Sequence, residues 1–205
     1  MKDVSKPRKS YDTNYLRNIK DFFSNKKLHL PYIMATGVEV WWSLVYIYVP
    51  LFMIKNNLSD SSVALFFSLI IVPLVILENK VGNLSSKKGF RFFFVGGFLG
   101  LVLISLFLFF TSNIIYQLVL IVIGSVFVSF LEPIQDTFFF KQVLTSDEEK
   151  YYPLFSSSAD LGGFLGKFVI AAFLLFLPNK YAYASMFFMM LFFVFMALRI
   201  PKNKK

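Results

Sequence analysis

FSSSADLGGFLGKFVIAAFLLFL, residues 155–177, is an apolar run with a lysine near its centre. It has the roughly 20 residues that a helix needs to cross a bilayer. Lys167 lies in the middle of the run, and Asp160 lies two turns earlier. A charge at that depth costs about 2.5–3.5 kcal/mol on insertion scales, and such residues face a protein interior or a watery cavity. The run therefore predicts a membrane-spanning helix with functional ionisable groups.

The composition of the chain requires a lipid environment. The 205 residues are 57% hydrophobic and 20% aromatic, with 28 Phe, and the mean hydropathy is +0.64. A water-soluble domain of this length has too little interior to hide so many apolar side chains. The chain has no cysteine and one histidine, His29. These residues offer no thiolate or histidine-cluster metal site, so we expect neither a metal nor a cofactor.

Six apolar spans are predicted, and the fold class is all-α, polytopic. Strands of a membrane β-barrel would be about ten residues long and would alternate in polarity, which these runs do not do. The loops on one side are very short, whereas residues 78–91 and 133–152 form two longer connections on the other side. The spans are residues 31–54, 62–77, 92–110, 114–131, 153–177 and 181–198.

The basic residues predict the orientation of the chain. An even number of spans puts both termini on one side, and that side receives all but three of the 21 Lys and Arg residues. The three exceptions are Lys55, Lys180 and Lys167. The positive-inside rule therefore places both termini in the cytoplasm, in the plasma or inner membrane of the cell. The net charge of +9 follows from this topology, and we expect no nucleic-acid partner.

The chain divides into three regions. Residues 1–30 are expected to form a cytoplasmic basic connector, polar over residues 2–14 and amphipathic over residues 15–23. The alternative for the amphipathic segment is a frayed lead-in to the first span. Residues 31–199 form the six-helix domain, and residues 200–205 form a basic tail. The six spans can be divided near Thr111 into two sets of three with opposite orientation, as in inverted-repeat transporters.

Residues 82–91 read GNLSSKKGFR and resemble the signature loop of the major facilitator superfamily, G-x-L-x-D-[RK]-x-G-[RK]-[RK]. Ser86 stands where the family has an acidic residue that helps to lock one transport state. We expect the glycines to allow a tight turn and close helix approach, and the basic residues to hold the loop at the cytoplasmic surface. The matching positions are Gly82, Leu84, Lys87, Gly89 and Arg91.

The resemblance implies a six-helix half, most like the C-terminal half, of a twelve-helix transporter. It implies transport of a small polar solute by alternating access, with the solute held between two halves. The second half would be a separate chain, a copy of this chain or an N-terminal portion. The alternative function is a non-transporting membrane scaffold or assembly protein. An enzyme is not expected, because the chain has no GxSxG sequence, His cluster or Cys nucleophile.

Four residues are predicted to line a substrate or proton path. Lys167 and Asp160 share one helical face, about 10 Å apart. Glu39 lies in the first span, which by the resemblance lines the central cavity, and is expected to pair with Lys167 or to contact the substrate. Only one residue of the pair Trp41–Trp42 can face this cavity, and we assign Trp42 to it. The alternatives are structural: Lys167 neutralised by a neighbouring helix or extended outward, and Glu39 at the inner interface.

Two further motifs have predicted roles. Glu132 and Asp136 are four residues apart and are expected to gate the cytoplasmic mouth by pairing with Lys87, Lys88 or Arg91. The alternative is that they are ordinary interfacial charges. Two pairs of glycines with three residues between them are predicted to allow close helix packing. These pairs are Gly96/Gly100 and Gly162/Gly166.

Overall fold

The computed structural model describes residues 15–202, apart from the side chain of Ser86. The predicted polar segment at residues 2–14 and the end of the basic tail, residues 203–205, lie outside the described residues. Within residues 15–202 the chain forms α-helices and no strand, which confirms the all-α prediction. The helices are α1 Tyr15–Ser24, α2 Lys26–Ser43, α3 Val49–Lys55, α4 Asp60–Lys88, α5 Phe90–Phe110, α6 Ile114–Val128, α7 Glu132–Phe140, α8 Glu148–Phe176 and α9 Lys180–Ala197.

Six helical segments are long and apolar enough to cross a membrane, as predicted. The first span joins α2 and α3, and the fourth joins α6 and α7. Most spans extend past the predicted bounds, because Lys, Glu and Gln near the membrane surface are good helix formers. The spans are Lys26–Lys55, Asp60–Ser85, Phe90–Phe110, Ile114–Phe140, Thr145–Phe176 and Lys180–Ala197.

The first span stays continuous through a proline. A π-helical segment, Leu44–Tyr48, joins α2 to α3 just before Pro50. The N–H of Val49 donates to the carbonyl of Leu44, five residues back. Proline has no N–H for the helical ladder, and the wider π-turn accommodates that loss without breaking the helix. This segment positions Tyr46 and Tyr48 for the contacts described below.

Both longer connections predicted from the sequence are wrong in extent. Gly82, Leu84 and Lys87 lie in the last turns of α4, and the chain turns only at Gly89, where φ is 86°. Of the signature residues, Gly89 is therefore the one whose positive φ requires a glycine. A Cβ on Gly82 would meet nothing within 4 Å, so this glycine makes no close approach. The second connection is shortened in the same way by α7 and the start of α8.

Helix α2 lies at the centre of the bundle and packs closely on α8. A Cβ on Gly162 would lie 2.7 Å from the Cβ of Glu39, and one on Gly166 would lie 2.7 Å from the Cβ of Ser43. The Ser43 hydroxyl donates to the carbonyl of Gly163 at 3.1 Å. The predicted role of the Gly162/Gly166 pair is thus confirmed.

The second glycine pair behaves differently. Gly100 packs against the ring of Phe127, as predicted, but a Cβ on Gly96 would meet nothing within 4 Å. Gly97 makes the close approach instead, where a Cβ would lie 2.6 Å from Leu131 Cγ. The prediction was therefore wrong for Gly96, because Gly97 is on the side of α5 that faces α6.

Helix α1 rests on one end of the bundle. Phe22 is fully buried and makes edge-to-face contacts with Tyr32 and Tyr151. Asp21 accepts a hydrogen bond from the Lys150 ammonium group at 3.1 Å. At the same end, Arg91 donates to the carbonyl of Ile200. We call this the basic end, and it comprises α1, the ends of α4 and α9, and the starts of α2, α5 and α8. The α1 side chains that stay exposed include Leu16, Ile19 and Phe23.

Candidate functional site

Two adjoining cavities form an acidic cleft among α2, α4, α7 and α8. The larger, about 310 Å³, is lined by Glu78, Glu132 and Asp136 together with Leu74, Pro133 and Gln135. The smaller, about 170 Å³, is lined by Glu39 and by residues of α2, α7 and α8. Gln135 and Asp136 line both cavities, so the two spaces adjoin at these residues.

An aromatic stack adjoins the cleft. The indole N–H of Trp42 donates to Oε2 of Glu132 at 2.9 Å. The Trp42 ring stacks on Tyr46 with a centroid distance of 4.8 Å, and Tyr46 stacks in turn on Phe67 at 5.7 Å. Both tryptophans are buried, but Trp41 packs instead against Gly124 of α6. The two tryptophans therefore point apart, as the helical spacing requires.

Gln135 carries an acceptor that has no donor. Its Oε1 atom is buried and has no hydrogen-bond partner among the described residues. A buried amide oxygen without a donor costs about 1–3 kcal/mol. Because Gln135 lies where the two cavities adjoin, a ligand with a donor group in the cleft would satisfy this oxygen.

Lys167 and Asp160 are exposed on α8. Lys167 has no carboxylate within 4 Å among residues 15–202, so the expected Glu39–Lys167 pair is not formed here. Glu39 instead lines the acidic cleft together with Asp136. The carbonyl of Lys167 accepts a hydrogen bond from the Tyr48 hydroxyl at 2.8 Å, which fixes this part of α8 against the π-helical segment.

The residues of the expected gate are not in ion-pair contact. Glu132 and Asp136 line the acidic cleft, whereas Lys87, Lys88 and Arg91 line a separate groove beside α5 and α9. None of the three cations lies within 4 Å of either carboxylate in the described part of the chain. Of the remaining signature positions, Gly82 and Leu84 belong to α4 and Gly89 forms the turn.

Three residues in or beside the cleft were not predicted from the sequence: Gln135, which lines it, and Tyr46 and Phe67, which belong to the adjoining stack. Tyr46 follows Trp42 by one helical turn, so the contact between the two rings could have been predicted from their spacing. Gln135 stands between Glu132 and Asp136 in the chain, which was a weaker signal. The position of Phe67 depends on the packing of α4 on the first span, and no local pattern indicates it.

The lining of the cleft is negative and contains no Lys or Arg. It carries Glu39, Glu78, Glu132 and Asp136. Among the residues that the structure describes, no group of His, Cys, Asp or Glu could hold a metal ion. The arrangement offers carboxylate and amide acceptors beside an aromatic stack, which suits a solute that donates hydrogen bonds.

A comparison with family models identifies the chain. The model of the Major Facilitator Superfamily matches residues 9–205, which is nearly the whole sequence. No curated protein matches the chain, and no solved structure matches it. Members of this family are membrane transporters, in agreement with the six spanning helices. The chain is thus an integral membrane protein that belongs to the major facilitator superfamily.

Proposed function

We propose that the chain is one six-helix half of a twelve-helix transporter, which moves a small polar solute across the membrane by alternating access. The acidic cleft carries this proposal. Its four carboxylates line a space that the six-helix bundle only partly encloses. Glu39 lies within the first spanning helix, where a carboxylate is costly unless it faces protein or water, so the open part of the cleft calls for a covering partner.

The exposed face of α8 supports the same conclusion. Ser156, Asp160 and Lys167 follow one another along this helix at intervals of four and seven residues, and all three are exposed. A face with this polarity is poorly solvated by acyl chains. A second half would enclose it, together with the cleft, in an aqueous path at the centre of the assembly.

In this proposal the solute carries a positive charge. A cation would relieve the mutual repulsion of Glu39 and Glu132 and would supply a donor to Gln135. A zwitterion satisfies the same groups if its anionic end reaches Lys167.

Uptake into proteoliposomes tests the proposal, with the protein purified in mild detergent together with its membrane partners. The panel contains organic cations, zwitterions and organic anions of similar size. We expect uptake of a cation or zwitterion, and a loss of at least about tenfold in Glu132→Gln, because charge-assisted contacts contribute about 1.5–3 kcal/mol.

Glu149→Gln is the matched control, since Glu149 is exposed in the first turn of α8 and does not line the cleft. Uptake by this variant should equal that of the wild type. Uptake of anions alone, or equal uptake by Glu132→Gln, would contradict the assigned solute class. No uptake of any solute would favour the scaffold function.

A further inference from the structure

An open groove of about 750 Å³ lies at the basic end, separate from the acidic cleft. It runs between the start of α5 and the end of α9. Its mouth carries the cationic side chains of Lys87, Lys88, Arg91 and Lys202, and no acidic residue lines it. We call it the basic groove.

The floor of the basic groove is apolar and continues into the membrane-spanning part of α5. It is formed by Phe92, Val95, Gly96 and Leu198. The floor is open at Gly96, where a Cβ would meet nothing within 4 Å. The step from Arg91 to Gly96 is about 7.5 Å along the helix axis. The groove is therefore charged at the membrane surface and apolar below it.

The cationic groups in the mouth have no anionic partner in the described part of the chain. None of them lies within 4 Å of a carboxylate. Arg91 uses one donor for the carbonyl of Ile200, at 3.4 Å, which leaves its other donors available. Lys88 lies 5.3 Å from the centroid of the Phe92 ring. No side chain caps the N-terminus of α5, so its free N–H groups add to the positive potential.

Topology and helix capping account for part of this charge. Lys87 and Lys88 complement the dipole at the C-terminus of α4, and basic residues are generally frequent on the cytoplasmic side. Neither effect requires Lys202, which lies beyond the end of α9, to share a groove with them. Neither effect requires an open apolar floor beneath the charges.

We propose that the basic groove binds an anionic phospholipid from the leaflet at the basic end. The lysine and arginine groups hold the phosphate-bearing headgroup, and one acyl chain lies along Phe92 and Gly96. Basic pockets between membrane helices bind anionic lipid headgroups in this way. The site is independent of the acidic cleft and of the solute.

Lipid titration of the purified protein, followed by native mass spectrometry, tests this proposal. The probes are phosphatidylglycerol and phosphatidylcholine with identical acyl chains. We expect the wild-type protein to bind phosphatidylglycerol more tightly, and the triple variant Lys87→Gln/Lys88→Gln/Lys202→Gln to weaken that binding by roughly 10- to 100-fold. Equal binding of the two lipids by the wild type would overturn the proposal.

A second triple variant separates the groove from the general positive field. Lys20→Gln/Lys26→Gln/Lys27→Gln removes the same charge from exposed positions near the basic end that do not line the groove. It should retain the preference for phosphatidylglycerol. If both triple variants weaken binding equally, the field alone attracts the lipid and the proposal fails.

Filling the groove without changing its charge tests the acyl-chain part. Gly96→Leu places a side chain in the open floor of the groove. Gly82→Leu is the control, because Gly82 is a helical glycine outside the groove where a Cβ would also meet nothing within 4 Å. Only Gly96→Leu should weaken lipid binding. Excess inorganic phosphate, as a competitor, should not displace the lipid. Full displacement by phosphate, or equal effects of the two leucines, would reduce the groove to a site for free anions.

Discussion

At the residue scale, the hydrogen bond between Trp42 and Glu132 links two spans that are far apart in the sequence. It is 2.9 Å long and joins the first span to the start of α7. Both residues were predicted from the sequence as site residues, but their hydrogen bond was not. The two residues are 90 positions apart, and no local pattern relates them. Lys167, the leading site residue predicted from the sequence, has no ion pair in the described part of the chain. In the proposed twelve-helix transporter, the role of Lys167 depends on the second half.

Replacement of Trp42 tests this link. Trp42→Phe keeps an aromatic ring to stack on Tyr46 but removes the donor to Glu132. Since a hydrogen bond to a charged group contributes about 1.5–3 kcal/mol, we expect cation uptake to fall roughly 10- to 100-fold. Trp41→Phe removes the same atoms from the core side of the helix and should keep most of its uptake per folded protein. Equal losses in the two variants would show that packing, not the hydrogen bond, determines transport.

At the element scale, the apolar runs predicted the six spans correctly because their lengths match the bilayer. The ends were wrong at residues 82–88 and 133–140, where charged and polar residues were interpreted as loops. Lys, Glu and Gln favour helices, so a spanning helix continues past the membrane surface until a residue such as Gly89 turns the chain.

Alanine should have opposite effects on stability at two glycines, one in the contact between α2 and α8 and one outside it. Gly166→Ala would place a Cβ 2.7 Å from that of Ser43, and overpacking of this kind costs about 1–3 kcal/mol. Gly82→Ala has open space and gains helix propensity, about 1 kcal/mol. Thermal unfolding in detergent should therefore show a lower Tm for Gly166→Ala and an unchanged or higher Tm for Gly82→Ala. A reversed order would contradict the close contact.

The attachment of α1 should depend on its buried ring. Phe22 is fully buried, so Phe22→Ala should weaken the free energy of packing α1 on the bundle by about 3–5 kcal/mol. Asp21→Asn removes a partly exposed ion pair with Lys150 and should cost at most about 1 kcal/mol. Hydrogen exchange in α1 should rise strongly in the first variant only. Similar exchange in both variants would show that the ion pair holds the helix.

At the scale of the whole molecule, the charge distribution supports the proposal that both termini face the cytoplasm. The chain contains no cysteine, so single-cysteine variants can be labelled without background. Ser112→Cys lies in the short turn after α5, and Thr145→Cys lies between α7 and α8. In intact cells a membrane-impermeant maleimide should label Ser112→Cys and not Thr145→Cys. The reverse pattern would invert the topology.

Counterflow tests alternating access most directly. Proteoliposomes are loaded with an excess of an unlabelled transported cation and diluted into a trace of the labelled cation. A carrier that alternates between two sides accumulates the label transiently above equilibrium. We expect this overshoot for the wild type and Glu149→Gln but not for Asp136→Asn. Simple equilibration without an overshoot in the wild type, or an undiminished overshoot in Asp136→Asn, would contradict transport through the acidic cleft.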